Sequence, residues 1–292
     1  MAQHCRSGSR TILNWQTRIV EPLSSKFNDR EYLRDKQYAT SSRLADRGQL
    51  HSQYSVATES VFEHLTRNTP WTGAREILEV GVGPGWWWNT AVQHLDPQAS
   101  LTITDLSPGM VDESVARLKG LGLSVAGQTA DAADLPFADG SFDVVAAHYM
   151  LYHLPNPEQA LSEFHRVLRP GGTLVAASNG PNHMLQFLDV LSAVFGEQVD
   201  GYEINNRFPP IEGLAMLRTV FSEAEWHPHI DSLRITNTDD ALRYLQSFPP
   251  GESADALQTD SLRRELELRT VDGVLHVQKE TGVFVAKRSA NP

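Results

Sequence analysis

Apolar positions along the chain change their period near residue 70. From Thr11 to about Thr69 they recur three or four apart or at multiples of that spacing: Leu44, Leu50 and Tyr54, then Val61, Phe62 and Leu65. This pattern predicts helices. Pro70 and Gly73 close that stretch. Short apolar runs follow at Glu76–Val80, Leu101–Thr104, Phe142–Ala147 and Thr173–Ala177, each the length of a buried strand. Between them lie helix-like segments, Trp86–His94, Gly109–Leu118 and Pro157–Leu168, the last stopped by Arg169-Pro170-Gly171-Gly172. Strands alternating with helices predict an α/β fold with a doubly wound, mostly parallel sheet. Two later β-rich pieces, Ile230–Thr236 and Val274–Val285, are expected to complete it as an antiparallel pair.

Two stretches exceed a minimal doubly wound domain. Met184, Leu185, Phe187, Leu188, Val190, Leu191, Val194 and Phe195 give one helix a wide apolar face, and residues 238–270 read as helical with a break at Pro249-Pro250-Gly251. The expected division is a tail at 1–10, a helical arm at 11–70, a core at 71–180, a helical lid at 181–213, and the rest of the core at 214–292 with its insertion at 238–270. Arm and lid are expected over the carboxyl ends of the strands, where such sheets bind ligands.

Composition narrows the class. The 292 residues are 40% hydrophobic and 21% charged, which suits a globular chain. With 25 Lys+Arg against 36 Asp+Glu the net charge is −11, unfavourable for wrapping a phosphate backbone. No run approaches the ~18–20 apolar residues of a membrane span, and the amino terminus lacks a signal-peptide core. A cytoplasmic protein is expected. Cys5 is the lone cysteine, so no disulfide and no Cys-based metal site are expected, and His227-Pro228-His229 is too sparse for a metal pair. The helical arm could exchange between copies in a homo-oligomer.

Candidate chemistry begins at Glu79-Val80-Gly81-Val82-Gly83-Pro84-Gly85, a turn between a strand and a helix. Glycines there let the backbone turn tightly and approach a ligand, although Trp86 occupies the position where a dinucleotide fingerprint has its last glycine. The next strand ends in Asp105. Its carboxylate either accepts both ribose hydroxyls or caps the following helix, a task Ser107 could also perform. In Ala130-Asp131, the acid could accept from an exocyclic adenine amine, while Asp134 reads equally as a solvated loop residue.

Together with Asp105-Leu106-Ser107-Pro108-Gly109-Met110, Asp134 through Val145 and Arg166 through Leu174, these blocks resemble the class I S-adenosylmethionine-dependent methyltransferases, in the small-molecule branch typified by ubiquinone/menaquinone-biosynthesis enzymes. The resemblance runs from about Ile77 to Ala177, and Tyr38 through Tyr54 looks like the helical entry segment of such enzymes. It implies a Rossmann-like methyltransferase sheet and S-adenosylmethionine as cofactor, with S-adenosylhomocysteine as product. It also implies that Glu79 and Gly81 line the methionine end, Asp105 binds ribose, Leu106 and Met110 flank adenine, Ala130 and Asp131 read its edge, and His148 approaches the methionine moiety through its backbone. The run Trp86-Trp87-Trp88 departs from the family, which carries one aromatic there.

Methyl transfer from a sulfonium requires in-line alignment and a dry site. Tyr38, Trp88 and Tyr149 are candidates for a cation–π face. His153 and His183 are candidate general bases, against the plainer reading of histidines bonded to backbone. Tyr32, Tyr149, Tyr152, Phe187 and Phe208 are candidate acceptor contacts, although most of the lid aromatics, among them Trp15, Phe195 and Tyr202, are expected to be core. An apolar, aromatic lid suits a hydrophobic small molecule, plausible in secondary metabolism. Two other readings stay open: a nucleic-acid methyltransferase, for which the stretch Arg6–Arg47 is too interspersed with acids to form a patch, and a cofactor-binding module that no longer transfers methyl.

Overall fold

The computed structural model describes residues 26, 29–196, 199 and 207–290. Trp15 and Tyr202 lie outside the described residues. Seven strands form one sheet: β1 Glu76–Val80, β2 Ser100–Asp105, β3 Val125–Thr129, β4 Phe142–His148, β5 Leu168–Asn179, β6 Glu223–Ile235 and β7 Leu275–Lys287. Their order is β3-β2-β1-β4-β5-β7-β6. β1 to β5 run parallel, and β7 is antiparallel to both its neighbours. The order reverses beside β1, which opens a crevice at the carboxyl ends of β1 and β4.

Strand alternation sorts the core into two faces. Leu78, Val80, Val145 and Ala147 join Leu161 and Phe164 on one side. Ile77, Val144, Ala146 and Val175 join Trp87, Trp88 and Leu118 on the other. The helices that cover these faces start at readable caps. α5 (Pro108–Gly120) begins with Pro108 behind Ser107, whose Oγ accepts from Met110 N–H, and α6 (Pro157–Val167) repeats the device with Asn156.

β3 has no counterpart among the expected strands. It is an edge strand of Val-Ala-Gly-Gln-Thr, exposed over four of its five residues, so no apolar run marks it. Gly127 is required there, because a Cβ would lie 2.4 Å from Val115 Cγ2 on α5.

A third core forms beyond the sheet. Thr281 of β7 pairs with Asn179, the last residue of β5, whereas residues 275–280 pair only with β6. The β6–β7 ribbon therefore projects past β5 by roughly 20 Å at ~3.3 Å per residue. Helices α2 (Ser42–Tyr54), α7 (Leu185–Phe195), α9 (Thr238–Gln246) and α10 (Ala256–Leu268) pack on this stalk through Leu50, Tyr54, Phe187, Leu191, Leu242, Leu245, Leu262 and Leu266. The cap is thus built from three separated stretches: α2, α7, and the ribbon with the α9–α10 segment between its strands. Residues 238–270, expected as an insertion in the core, supply two of its four helices, whose apolar faces meet α2, α7 and the projecting β6–β7 ribbon.

Candidate functional site

The floor of the crevice is made by backbone. Gly81 and Val82 donate their N–H groups to the Thr104 carbonyl, at 2.8 and 3.0 Å, which straps the glycine loop to the end of β2. Gly81 adopts φ +69° and would place a Cβ 2.9 Å from Met150 Cβ; Gly83 adopts φ +54° and faces open space. Asp105 accepts Gly83 N–H on one oxygen and Ser107 N–H on the other, each at 2.9 Å. Ser107 is the helix cap, so Asp105 is left to join loop to loop and to face the cavity. Burial pushes its carboxyl up, against the pull of these N–H groups. Glu79, at the end of β1, accepts the Trp88 indole N–H, and burial pushes it up to about 8. Leu106, Met110, Ala130 and Asp131 line the same end, and Asp131 is held by Arg30 at 2.7 Å.

Between this floor and the cap lies an open-mouthed cavity of about 1240 Å³. β4 ends there in His148, whose two ring nitrogens find no partner and whose ring meets Trp87 edge-on at 4.5 Å. Burial pushes it down to about 3. Tyr149 follows at φ +57°, a conformation that a non-glycine residue adopts at a cost of about 1–3 kcal/mol. Tyr38 Oη lies 2.9 Å from His153 Nε2, which joins the entry segment to the loop after β4. Phe187 stacks on Tyr244 at 5.0 Å. His51, His183, Arg47 and Lys279 complete the upper wall. Lys279 reaches Asp231 at 3.3 Å, and both are buried.

The family model for a methyltransferase domain matches residues 78–176. A ubiquinone/menaquinone biosynthesis C-methyltransferase of Neisseria meningitidis serogroup A is 30% identical over 203 residues, covering 69% of this chain and 77% of that one. The chain belongs to the class I S-adenosylmethionine-dependent methyltransferases. The corresponding enzyme of Desulfotalea psychrophila is 36% identical over 110 residues, 37% of this methyltransferase and 43% of that protein. Among solved structures, the YcgJ protein of Bacillus subtilis has a TM-score of 0.55 at 16% identity, covering 78% of this chain and 97% of its own; it shares the fold.

Most of the expected site residues of this methyltransferase border the cavity: Tyr38, Glu79, Gly81, Gly83, Asp105, Leu106, Met110, Ala130, Asp131, His148, Tyr149, Tyr152, His153, His183 and Phe187. Four do not. Trp88 is fully buried behind Glu79, with no ring face left for a sulfonium; Trp86 instead meets the cap, where Gly48 of α2 leaves room for its ring. Gly85 faces α5, where a Cβ would lie 2.9 Å from Leu118 Cδ1, so it serves helix–loop packing. Phe208 is buried against Phe284 in the core beneath the sheet. Tyr32 turns away, donating its hydroxyl to Glu252 at 2.6 Å.

The methyltransferase also carries wall residues that sequence patterns did not single out: Arg47, His51, Tyr244 and Lys279. Lys279 had a signal. It continues the inward alternation of Leu275 and Val277, a place for an apolar residue. Asp231 does the same after His229, with Ile230 turned out to solvent.

Proposed function

We propose that this enzyme transfers the methyl group of S-adenosylmethionine to a small organic molecule held between the glycine-loop floor and the cap. The observation that carries the reading is Asp105, fixed by two backbone N–H groups beside a glycine that opens on a capped cavity. That arrangement suits an adenosyl ribose. Glu79 and Gly81 would receive the methionine end, Leu106 and Met110 the adenine faces, and Ala130 with Asp131 its edge; Asp131 would then share its carboxylate with Arg30. His148, at the strand end, would offer its backbone to the methionine moiety. Bound there, S-adenosylmethionine would supply an electrophilic methyl group for in-line attack by the acceptor's nucleophile, with S-adenosylhomocysteine as the leaving group.

The chain's own residues orient the partners and exclude water. Tyr38 and Tyr149 are the aromatic faces available to the sulfonium. Where the acceptor must lose a proton, His153 is the base we favour, oriented by Tyr38. His183 is a poorer choice, because burial pushes it down to about 3 and a base that weak draws a proton feebly. A cap dedicated to one enclosed guest supports a tailoring step in secondary metabolism on an acceptor with an apolar body, which Phe187, Leu191 and Tyr244 would contact.

Calorimetric titration with S-adenosylmethionine, followed by tracing of a labelled methyl group into small acceptors, tests the reading. Micromolar binding with label appearing in small-molecule product is expected. A purified chain with no affinity for the cofactor would sink it.

A further inference from the structure

The two ends of the cavity differ in charge. The carboxylates that border it, Glu63, Glu79, Asp105 and Asp131, belong to the floor and the mouth. The cap end carries the cations Arg47 and Lys279, beside two histidines, His51 and His183, that burial pushes down to the neutral form. Arg47 and His51 stand four residues apart on one face of α2, and the His183 ring lies 6.4 Å from that of His51. Lys279 approaches from the stalk.

Among the described residues no carboxylate forms an ion pair with Arg47. Its guanidinium sits 5.8 Å over the Tyr38 ring, and its Nη2 meets no acceptor. His51 Nδ1 likewise has no partner. Asp231, the one acid next to Lys279, is already satisfied. It accepts from the Ser55 hydroxyl at 2.7 Å and from the backbone N–H groups of Val56, Ala57 and Ser232. Of the three hydrogens on the Lys279 ammonium, it takes one.

A half-buried cation without a counter-charge opposes folding, and a cationic methyl donor beside it would add repulsion. Both penalties vanish if the guest brings the negative charge. A planar guanidinium with a donor to spare matches a carboxylate in shape as well as charge. We propose, building on the methyl-transfer reading, that the acceptor is an organic acid whose carboxylate is received at the cap end by Arg47, with Lys279 and His51 beside it. Phe187 and Tyr244 then flank its body, and its nucleophile points down toward the floor.

The test uses the whole chain saturated with S-adenosylhomocysteine. Octanoate and 4-hydroxyphenylacetate are titrated against their methyl esters, in the wild type, Arg47→Met, Arg47→Lys and Lys279→Met. At least one acid should bind about tenfold or more tighter than its ester, as a hydrogen bond to a charged group allows. Arg47→Met should erase that preference, Arg47→Lys should keep part of it, and Lys279→Met should weaken it. Affinity for S-adenosylhomocysteine should stay within about twofold throughout, well under the roughly 1.4 kcal/mol of a tenfold change. Without ligand, Arg47→Met should melt no lower than the wild type, since it removes an uncompensated charge; a stable Arg47 variant keeps the test readable should Lys279→Met leave Asp231 stranded and unfold.

Equal binding of acids and esters, or no binding of either acid, overturns the proposal. So does an Arg47→Met variant that loses S-adenosylhomocysteine, since Arg47 would then serve the cofactor's own carboxylate. A wild type that fails to bind S-adenosylhomocysteine strikes the methyl-transfer reading itself, a separate outcome.

Discussion

The floor and the roof of the cavity are made in different ways. Floor contacts come from main chain: a loop strapped to β2, with Asp105 tying its Gly83 N–H to the Ser107 N–H of the next turn, all within 27 consecutive residues from Gly81 to Ser107. Roof contacts come from side chains on α2, α7, α9 and the β6–β7 stalk, brought together from both ends of the sequence. Backbone geometry suits a ligand that never changes. Side chains can be exchanged one at a time without disturbing a turn, which suits a guest that differs between enzymes.

Substitutions can separate the two. Asp231→Asn should strike the roof hardest, because it strands Lys279 in a buried setting; losing one partner of such a pair costs roughly 3–5 kcal/mol. Hydrogen exchange should quicken at the stalk and α2 while S-adenosylhomocysteine still binds. Protection lost equally across β1 to β5 would mean that roof and floor unfold as one.

Asp105→Ala is the matching blow to the floor. Removing a charged acceptor of two ribose hydroxyls should cost about 3 kcal/mol, or a hundredfold in cofactor affinity by calorimetry, with the cap's exchange unchanged. Undiminished binding would remove the ribose assignment. Gly81→Ala should cost about 1–3 kcal/mol of stability, from its positive φ and the contact with Met150. Adding Met150→Ala should recover only part of the melting temperature, since the backbone strain stays.

Smaller effects sharpen the boundary between the halves. Tyr38→Phe keeps the ring under Arg47 but removes the hydroxyl that holds His153; kcat should fall about fivefold, the worth of one neutral hydrogen bond, with cofactor affinity kept. An unchanged rate and pH profile would take His153 out of proton transfer. A last effect, read as a slope of stability against pH, is expected at Glu79. Its carboxyl rises from an ordinary 4.5 to about 8 on burial, so the folded state holds a proton that the unfolded chain releases. The stability tied to that proton is complete below pH 4.5 and is lost as pH rises through 8. Glu79→Gln should flatten this part of the melting-temperature curve, and an identical slope in the variant would exclude Glu79 as its source.

The floor was legible in the sequence and the roof largely was not, for the same reason. Glu79 through Gly83 and Asp105 sit at the ends of apolar runs whose period declares them strands, so local pattern gives their position. Phe187 and Phe208 look alike as lid aromatics, yet one lines the cavity and the other lies in the core. Only the packing of α7 on the stalk, and of Phe208 on Phe284, tells them apart. Trp88 misled because three consecutive tryptophans carry no period, and its indole is spent on Glu79. Arg47 and His51 share a helix with the buried Leu50 and Tyr54, where a polar residue beside an apolar stripe ordinarily means a solvated flank.

Ile235 and Leu275 face each other as the last rung of the β6–β7 ladder, so the 39 residues between them leave and re-enter the sheet at neighbouring points. Cross-strand partners stand about 5 Å apart, the gap an ordinary hairpin turn closes. The sheet's own ladder, therefore, would accept in place of α9 and α10 any segment that spans that gap and presents an oily side to α2, α7 and the stalk. A new guest could be accommodated by replacing this one piece of chain while every bond of the glycine-loop floor stayed in place.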